Sequence, residues 1–196
     1  MPLQNRYRGI PEPNLANFDW FDLATGTGYK TFYGMDLIEG SNSLAYVFST
    51  QTLYSSVGFK SFSNALGEIN FDLTFEVPLT VEGNVLLNIA VGSEQAWTQT
   101  LTFILYHVDT DNTETQLDST TDSVTVNNNH AMLAIKFEVP VRRFKAGEKL
   151  RLSLNSPAVG AGKAIYWLFD PKNRSTLSPV PDFINSQLIL NLPIKI

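Results

Sequence analysis

Two histidines, no cysteine and nineteen acidic residues are what this 196-residue chain offers to chemistry. His107 falls in an alternating apolar run and His130 follows Asn127-Asn128-Asn129. A Ser/His/Asp triad would need one of them carried to a serine, and no GxSxG elbow marks that serine. Both histidines therefore read as surface or hydrogen-bonded structural residues. Carboxylate pairs for glycoside hydrolysis could be assembled from Asp19, Asp22 and Asp36, but a chain with this many acids always offers such pairs. Asp109, Asp111 and Glu114 imitate the opening of a calcium loop. The loop glycine is missing, Thr113 stands where a third acid belongs, and no glutamate follows at the twelfth position, so a polar hairpin tip is expected instead.

The stretch Phe18 to Asp36, FDWFDLATGTGYKTFYGMD, is the densest in aromatics. Its Gly26-Thr27-Gly28 could open a dinucleotide fingerprint, but that motif needs a third glycine where Thr31 stands, after a parallel strand and before a helix. A tight turn between two strands is expected there, its glycines allowing positive φ. Asn173-Arg174-Ser175 matches a glycosylation acceptor and reads as a turn, since no signal peptide precedes it. No catalytic, cofactor-binding or metal-binding residue is assigned, and neither enzyme activity nor a cofactor is expected. One binding chemistry stays open: Trp20, Trp97, Trp167 and the tyrosines around them could stack on pyranose faces.

Composition narrows the partners. Charged residues are 17% of the chain and the net charge is -5, which opposes attraction to phosphate backbones. The one basic cluster, Arg142, Arg143 and Lys145, is short and precedes Gly147-Glu148, so it reads as a solvated strand exit. Nucleic acid is not expected as a partner. No apolar stretch reaches the ~20 residues of a membrane helix, and no signal-like segment opens the chain. A soluble protein made in a cytoplasm is expected, with no membrane partner.

The elements that would position these residues are strands. Period-2 alternation runs through Phe71 to Val77, Val85 to Val91, Leu101 to Leu105, Leu133 to Val139, Leu150 to Leu154 and Leu188 to Ile196, with Ile165 to Phe169 apolar on both faces. Such alternation marks half-buried strands. Glu82-Gly83-Asn84, Asp109 to Asn112, Asn127 to Asn129, Ala146-Gly147-Glu148 and Asp170 to Asn173 read as the turns between them. Phe75-Glu76-Val77-Pro78 recurs as Phe137-Glu138-Val139-Pro140, and both prolines are expected to end strands. No ten-residue segment sustains a helical period. The sequence thus predicts an all-β chain: an antiparallel β-sandwich of jelly-roll type over 18–196, with an extended, proline-bearing N-terminal arm over 1–17. Phe75, Leu87, Phe103, Ile135, Phe137 and Leu152 are its expected core. The stretch 160–181, rich in turn formers, is expected to cross one end.

Phe18 to Gly34, Phe144 to Leu152, Asp170 to Arg174 and Leu190 to Ile194 together resemble the small all-β virion proteins of tailed phages and related viruses, among them jelly-roll decoration or cement proteins. The resemblance implies a non-enzymatic viral structural protein on the capsid surface of the virion, assembled in the host cytoplasm. It also implies a homo-oligomer, a trimer by preference, bound to the major capsid protein. A carbohydrate-binding module or phage adhesin with a sugar-stacking surface is the alternative.

Overall fold

The structure, a computed structural model, describes residues 27–39, 43–51, 59–63, 67–93, 95–126, 130–157, 164–169 and 187–195. The arm over 1–17, Trp20, Asp19, Asp22 and the 170–181 turns lie outside the described residues. Eleven strands and no helix occupy the described residues: β1 (Thr27–Glu39), β2 (Ser43–Ser49), β3 (Phe59–Ser63), β4 (Gly67–Thr74), β5 (Leu79–Gly92), β6 (Trp97–Val108), β7 (Glu114–Val126), β8 (His130–Phe144), β9 (Lys149–Ser156), β10 (Ala164–Leu168) and β11 (Ile189–Lys195).

Strand order is β3-β10-β5-β11-β1-β2-β4-β9-β6-β7, with β8 on the other side of β5. All pairings are antiparallel except a single parallel bridge, Val47 to Asp72, between β2 and β4. β1 links the two halves of the path: its residues 27–33 pair with β11 and 33–39 with β2. The sheet curls until its edge strands β7 and β8 lie side by side, where the Glu138 N–H donates to Asp118 Oδ2 at 2.7 Å. An edge amide is thus occupied by a carboxylate instead of being left open to a foreign strand. The result is an antiparallel sandwich of jelly-roll type.

One core fills it. Phe71 and Leu73 of β4, Val85, Leu87 and Ile89 of β5, Phe103 and Leu105 of β6, Leu133, Ile135 and Phe137 of β8, Leu152 and Leu154 of β9 and Leu190 and Leu192 of β11 all point inward. All six residues expected in the core are buried. Trp167 of β10 is fully buried and meets the Phe103 ring edge-on at 5.8 Å.

Three local expectations are corrected. Gly28 is not a turn: it lies inside β1 opposite Ile194, and β1 continues through the aromatic stretch with Phe32 packed into the core. Glu82-Gly83-Asn84 is not a turn either; β5 runs through it as a bulge, Gly83 taking φ 110° while the register with β8 slips between Val81 and Gly83. The strand break comes earlier, between Thr74 and Leu79. Neither proline ends a strand: Pro78 directly precedes β5, β4 having stopped at Thr74, and Pro140 sits within β8, which continues to Phe144. It is tolerated because the slipped register there removes the ladder bond its missing N–H would have made.

Gly34 marks where β1 passes between its two partners. Its N–H donates to Leu188 O at 2.9 Å, and a Cβ there would lie 2.3 Å from Leu188 Cδ2 and 2.8 Å from Cγ. Leu188 is fully buried and has no room to yield. Gly34→Ala is expected to destabilise the fold by about 1–3 kcal/mol, the usual range for overpacking, measured by urea unfolding; an unchanged midpoint would show that the strand moves freely at this point.

Candidate functional site

The side chains that could stack on a sugar are distributed unevenly. Trp167 belongs to the core, while Trp20 and the side chain of Trp97 lie outside the described residues. The large aromatic that is exposed among the described residues is Tyr29, at 37%. It follows from the pleat: Phe32 and Gly34 point inward on β1, so Tyr29, Thr31 and Tyr33 share the outer face.

Directly across the ladder from Tyr29 stands Pro193 of β11. Proline has no N–H to give the next strand, and the pairing of β11 with β5 slips between Asn191 and Ile194. The β5 bulge lies beside this slip. Gly83 there needs its left-handed φ, and a Cβ on it would stand 3.9 Å from Pro193 Cγ. Two irregularities on adjacent strands therefore open a shallow cleft of about 430 Å³, with Tyr29 and Pro193 as ring-bearing floor, Gly83 as bare backbone, and Glu82, Asn84 and Lys195 at the rim. Lys195 Nζ lies 3.6 Å from Glu82 Oε2, so the rim charges offset each other. A flat apolar floor with an amide and an ion pair around it suits a neutral ligand rich in hydroxyl groups.

A second open groove, about 510 Å³, lies where β9 ends and leaves β6, lined by Glu68, Thr100, Thr102, Asn155, Ser156 and Pro157. The outer face here is a hydroxyl and amide surface: Thr98 bonds Thr125 at 2.9 Å and Thr100 bonds Ser123 at 3.0 Å. Glu68 Oε1 accepts from Asn70 Nδ2 and Ser153 Oγ. No aromatic ring lines it.

The titratable residues weighed in the sequence are now placed. Asp36 is buried in β1, and His130 opens β8 opposite Gly92, where burial pushes the pKa of its imidazole down. Asp109, Asp111 and Glu114 flank a tight hairpin: the Asp109 N–H donates to Thr113 O, the Asn112 N–H to Asp109 O, and Asn112 takes φ 67°. Asp111 Oδ1 accepts from the Thr113 N–H at 2.9 Å, which lowers its pKa. The polar hairpin tip is what the structure contains.

His107 is buried and does something the sequence did not reveal. Its Nδ1 accepts from Arg142 Nε at 2.7 Å and its Nε2 lies 2.8 Å from Glu148 Oε2. Glu148, also buried, accepts the Lys145 backbone N–H on the same oxygen at 2.8 Å, and this bond is the chief cause that holds its pKa below the usual carboxylate range. His107 Nε2, Asp109 and Glu148 come within 4.8 Å of one another, close enough to hold a cation. The guanidinium decides against it: Arg142 can only donate, so Nδ1 offers the lone pair and Nε2 carries the proton, leaving no lone pair for a metal. The set is a hydrogen-bonded node joining β6, β8 and the β8–β9 turn.

No family model and no curated protein sequence matches the chain. Solved structures do. A CocE/NonD family hydrolase from Staphylococcus aureus aligns with a TM-score of 0.59 at 13% identity, covering 87% of this chain and 37% of that one. An α-amino acid ester hydrolase gives 0.60 at 9%, over 85% and 36%, and an aminopeptidase from the marine sediment archaeon Thaumarchaeota archaeon gives 0.58 at 8%, over 85% and 37%. The likeness is one of fold. This chain spans little more than a third of the length of these enzymes, and a shared sandwich does not transfer their activity.

Proposed function

We propose that this chain is a non-catalytic binding module that holds a neutral carbohydrate in the Tyr29–Pro193–Gly83 cleft. The observation that carries the reading is the cleft floor, an exposed tyrosine ring beside a proline ring and a glycine without a side chain to obstruct it. A pyranose ring presents C–H groups to such a floor and turns its hydroxyls to the rim, where Asn84, Glu82 and Lys195 can bond them. The weakly charged composition of the chain agrees with a ligand bound by stacking and hydrogen bonds instead of by charge.

Tyr29→Ala is expected to weaken binding of a neutral polysaccharide about tenfold or more, the equivalent of ~1.4 kcal/mol. Because Tyr29 is on the surface, its removal should leave stability within about 0.5 kcal/mol. Affinity electrophoresis through gels containing neutral polysaccharides measures the first and urea unfolding the second. Wild-type protein that ignores every neutral glycan on an array, or a variant that binds as well as wild type, would sink the reading.

Capsid decoration is the second reading. It is favoured by Val77 and Val141, aliphatic side chains left 66% and 64% exposed, which a neighbouring subunit or shell could cover, and by the resemblance to virion proteins. Co-sedimentation with capsids, lost when residues 1–17 are deleted while the melting temperature holds, would support it over the glycan reading.

A further inference from the structure

We propose that His107 is a proton-operated switch that holds Arg142 in the sandwich when neutral and releases it when charged. The geometry at Nδ1 carries the inference. Arg142 Nε approaches it to 2.7 Å, and since a guanidinium stays protonated and has donors only, that contact exists only while Nδ1 is bare. A second proton on the ring must go to this nitrogen, because Nε2 already carries one in its 2.8 Å bond to Glu148. Two donors and two positive charges would then face each other at hydrogen-bond distance, and the contact has to open.

The other charged groups facing the ring determine what opens. Glu148, from the β8–β9 turn, keeps its bond to Nε2 in either state, and Asp109 Oδ1, from the β6–β7 hairpin, lies 3.7 Å from the same nitrogen. Lys145 Nζ is 3.6 Å from the far oxygen of Glu148 and on the solvent side. These carboxylates gain attraction when the ring is charged, so the ring stays in place, its side packed edge-on against Phe144 at 4.5 Å. Arg142 is the member that leaves. It stands opposite Val81, at the register slip beside Gly83, so its release loosens the β5–β8 pairing at that end and adds a guanidinium to the surface that carries Arg143 and Lys145.

Nitrogen-edited NMR on the full chain tests this as the pH is lowered from about 7.5 to about 5. At the upper end His107 should be the Nε2–H tautomer with the Arg142 Nε–H protected from exchange. As His107 takes its second proton, that protection should fall about tenfold or more, the loss of roughly one hydrogen bond to a charged group, while the core amides of β5 and β9 stay protected. His107→Gln supplies the control, its amide oxygen accepting from Arg142 and its amide nitrogen donating to Glu148; there the Arg142 protection should not change with pH. An Nδ1–H tautomer at neutral pH, Arg142 protection unaffected by His107 protonation, or the same loss in His107→Gln would each overturn the switch. Should the glutamine variant not fold, the wild-type titration decides alone.

Discussion

Phe137→Ala is expected to cost about 3–5 kcal/mol, the range for deleting a fully buried phenylalanine where the surroundings relax only partly. Phe137 has no exposed surface and stands opposite Val85. β8 pairs in the sheet with β5 and closes against β7, where the Glu138 N–H donates to the Asp118 carboxylate. The strand is therefore held mainly by what its inward residues bury, and a cavity at Phe137 removes one of the two largest of these contributions, the other being Phe144. Its neighbour supplies the control. Glu138 is exposed, and its side chain makes a surface pair with Lys136 at 2.8 Å, worth about 0–1 kcal/mol; Glu138→Ala leaves the backbone bond to Asp118 in place. Guanidinium unfolding of the two variants should give a large shift for the first and a small one for the second. Similar losses below about 1 kcal/mol in both would mean that the β8 face is reversed.

That contrast also shows which parts of the fold were legible in the sequence. β4, β8, β9 and β11 carry buried aliphatic or aromatic residues in runs at every second position, with mostly polar residues between them, so period 2 located them and their inward faces. β7 escaped, because this edge strand fully buries only Val124 and Val126 and its other positions, Leu117 apart, are polar residues, among them the hydroxyls bonded to β6. Glycine and proline misled where they serve irregular strands instead of ending them. Gly28 lies inside β1, Gly83 supplies a bulge, and Pro140 sits where the ladder has slipped. Each has the same local sequence chemistry as a turn; only the pairing partner distinguishes the cases. The candidate cleft was illegible for a related reason. Tyr29, Gly83 and Pro193 belong to three strands, and they meet only because two register slips coincide. The His107 node joins residues 35 and 41 positions apart, a relation that no spacing rule in one sequence encodes.

Glu148→Ala is expected to be about as severe as the core variant, at roughly 3–5 kcal/mol, the cost of removing one partner from a buried charged network. A single oxygen of Glu148 accepts both the His107 Nε2–H and the Lys145 N–H, and its backbone extends the node by tying Phe75 to the same turn: the Phe75 N–H donates to Glu148 O at 3.0 Å and the Gly147 N–H to Phe75 O at 2.8 Å. Alanine keeps the backbone bonds but strands two donors, one of them on a buried ring. Glu148→Gln separates charge from hydrogen bonding, since an amide oxygen in place of Oε2 accepts both donors; it should cost only about 1 kcal/mol. The same carboxylate gives wild type a signature in acid. Its pKa is lowered in the folded protein, first by the Lys145 backbone bond and then by His107 and the Lys145 amine, against the opposing effect of burial. The unfolded chain therefore binds this proton more readily, so the stabilisation is full above the ordinary glutamate range near ~4.3 and is lost as the pH falls through the lower folded value. Urea midpoints measured downward from neutral pH should fall more steeply below about pH 4.5 in wild type than in Glu148→Gln. Parallel curves, or an alanine variant as stable as the glutamine one, would show that the buried node holds the β8–β9 turn no more firmly than its backbone bonds alone.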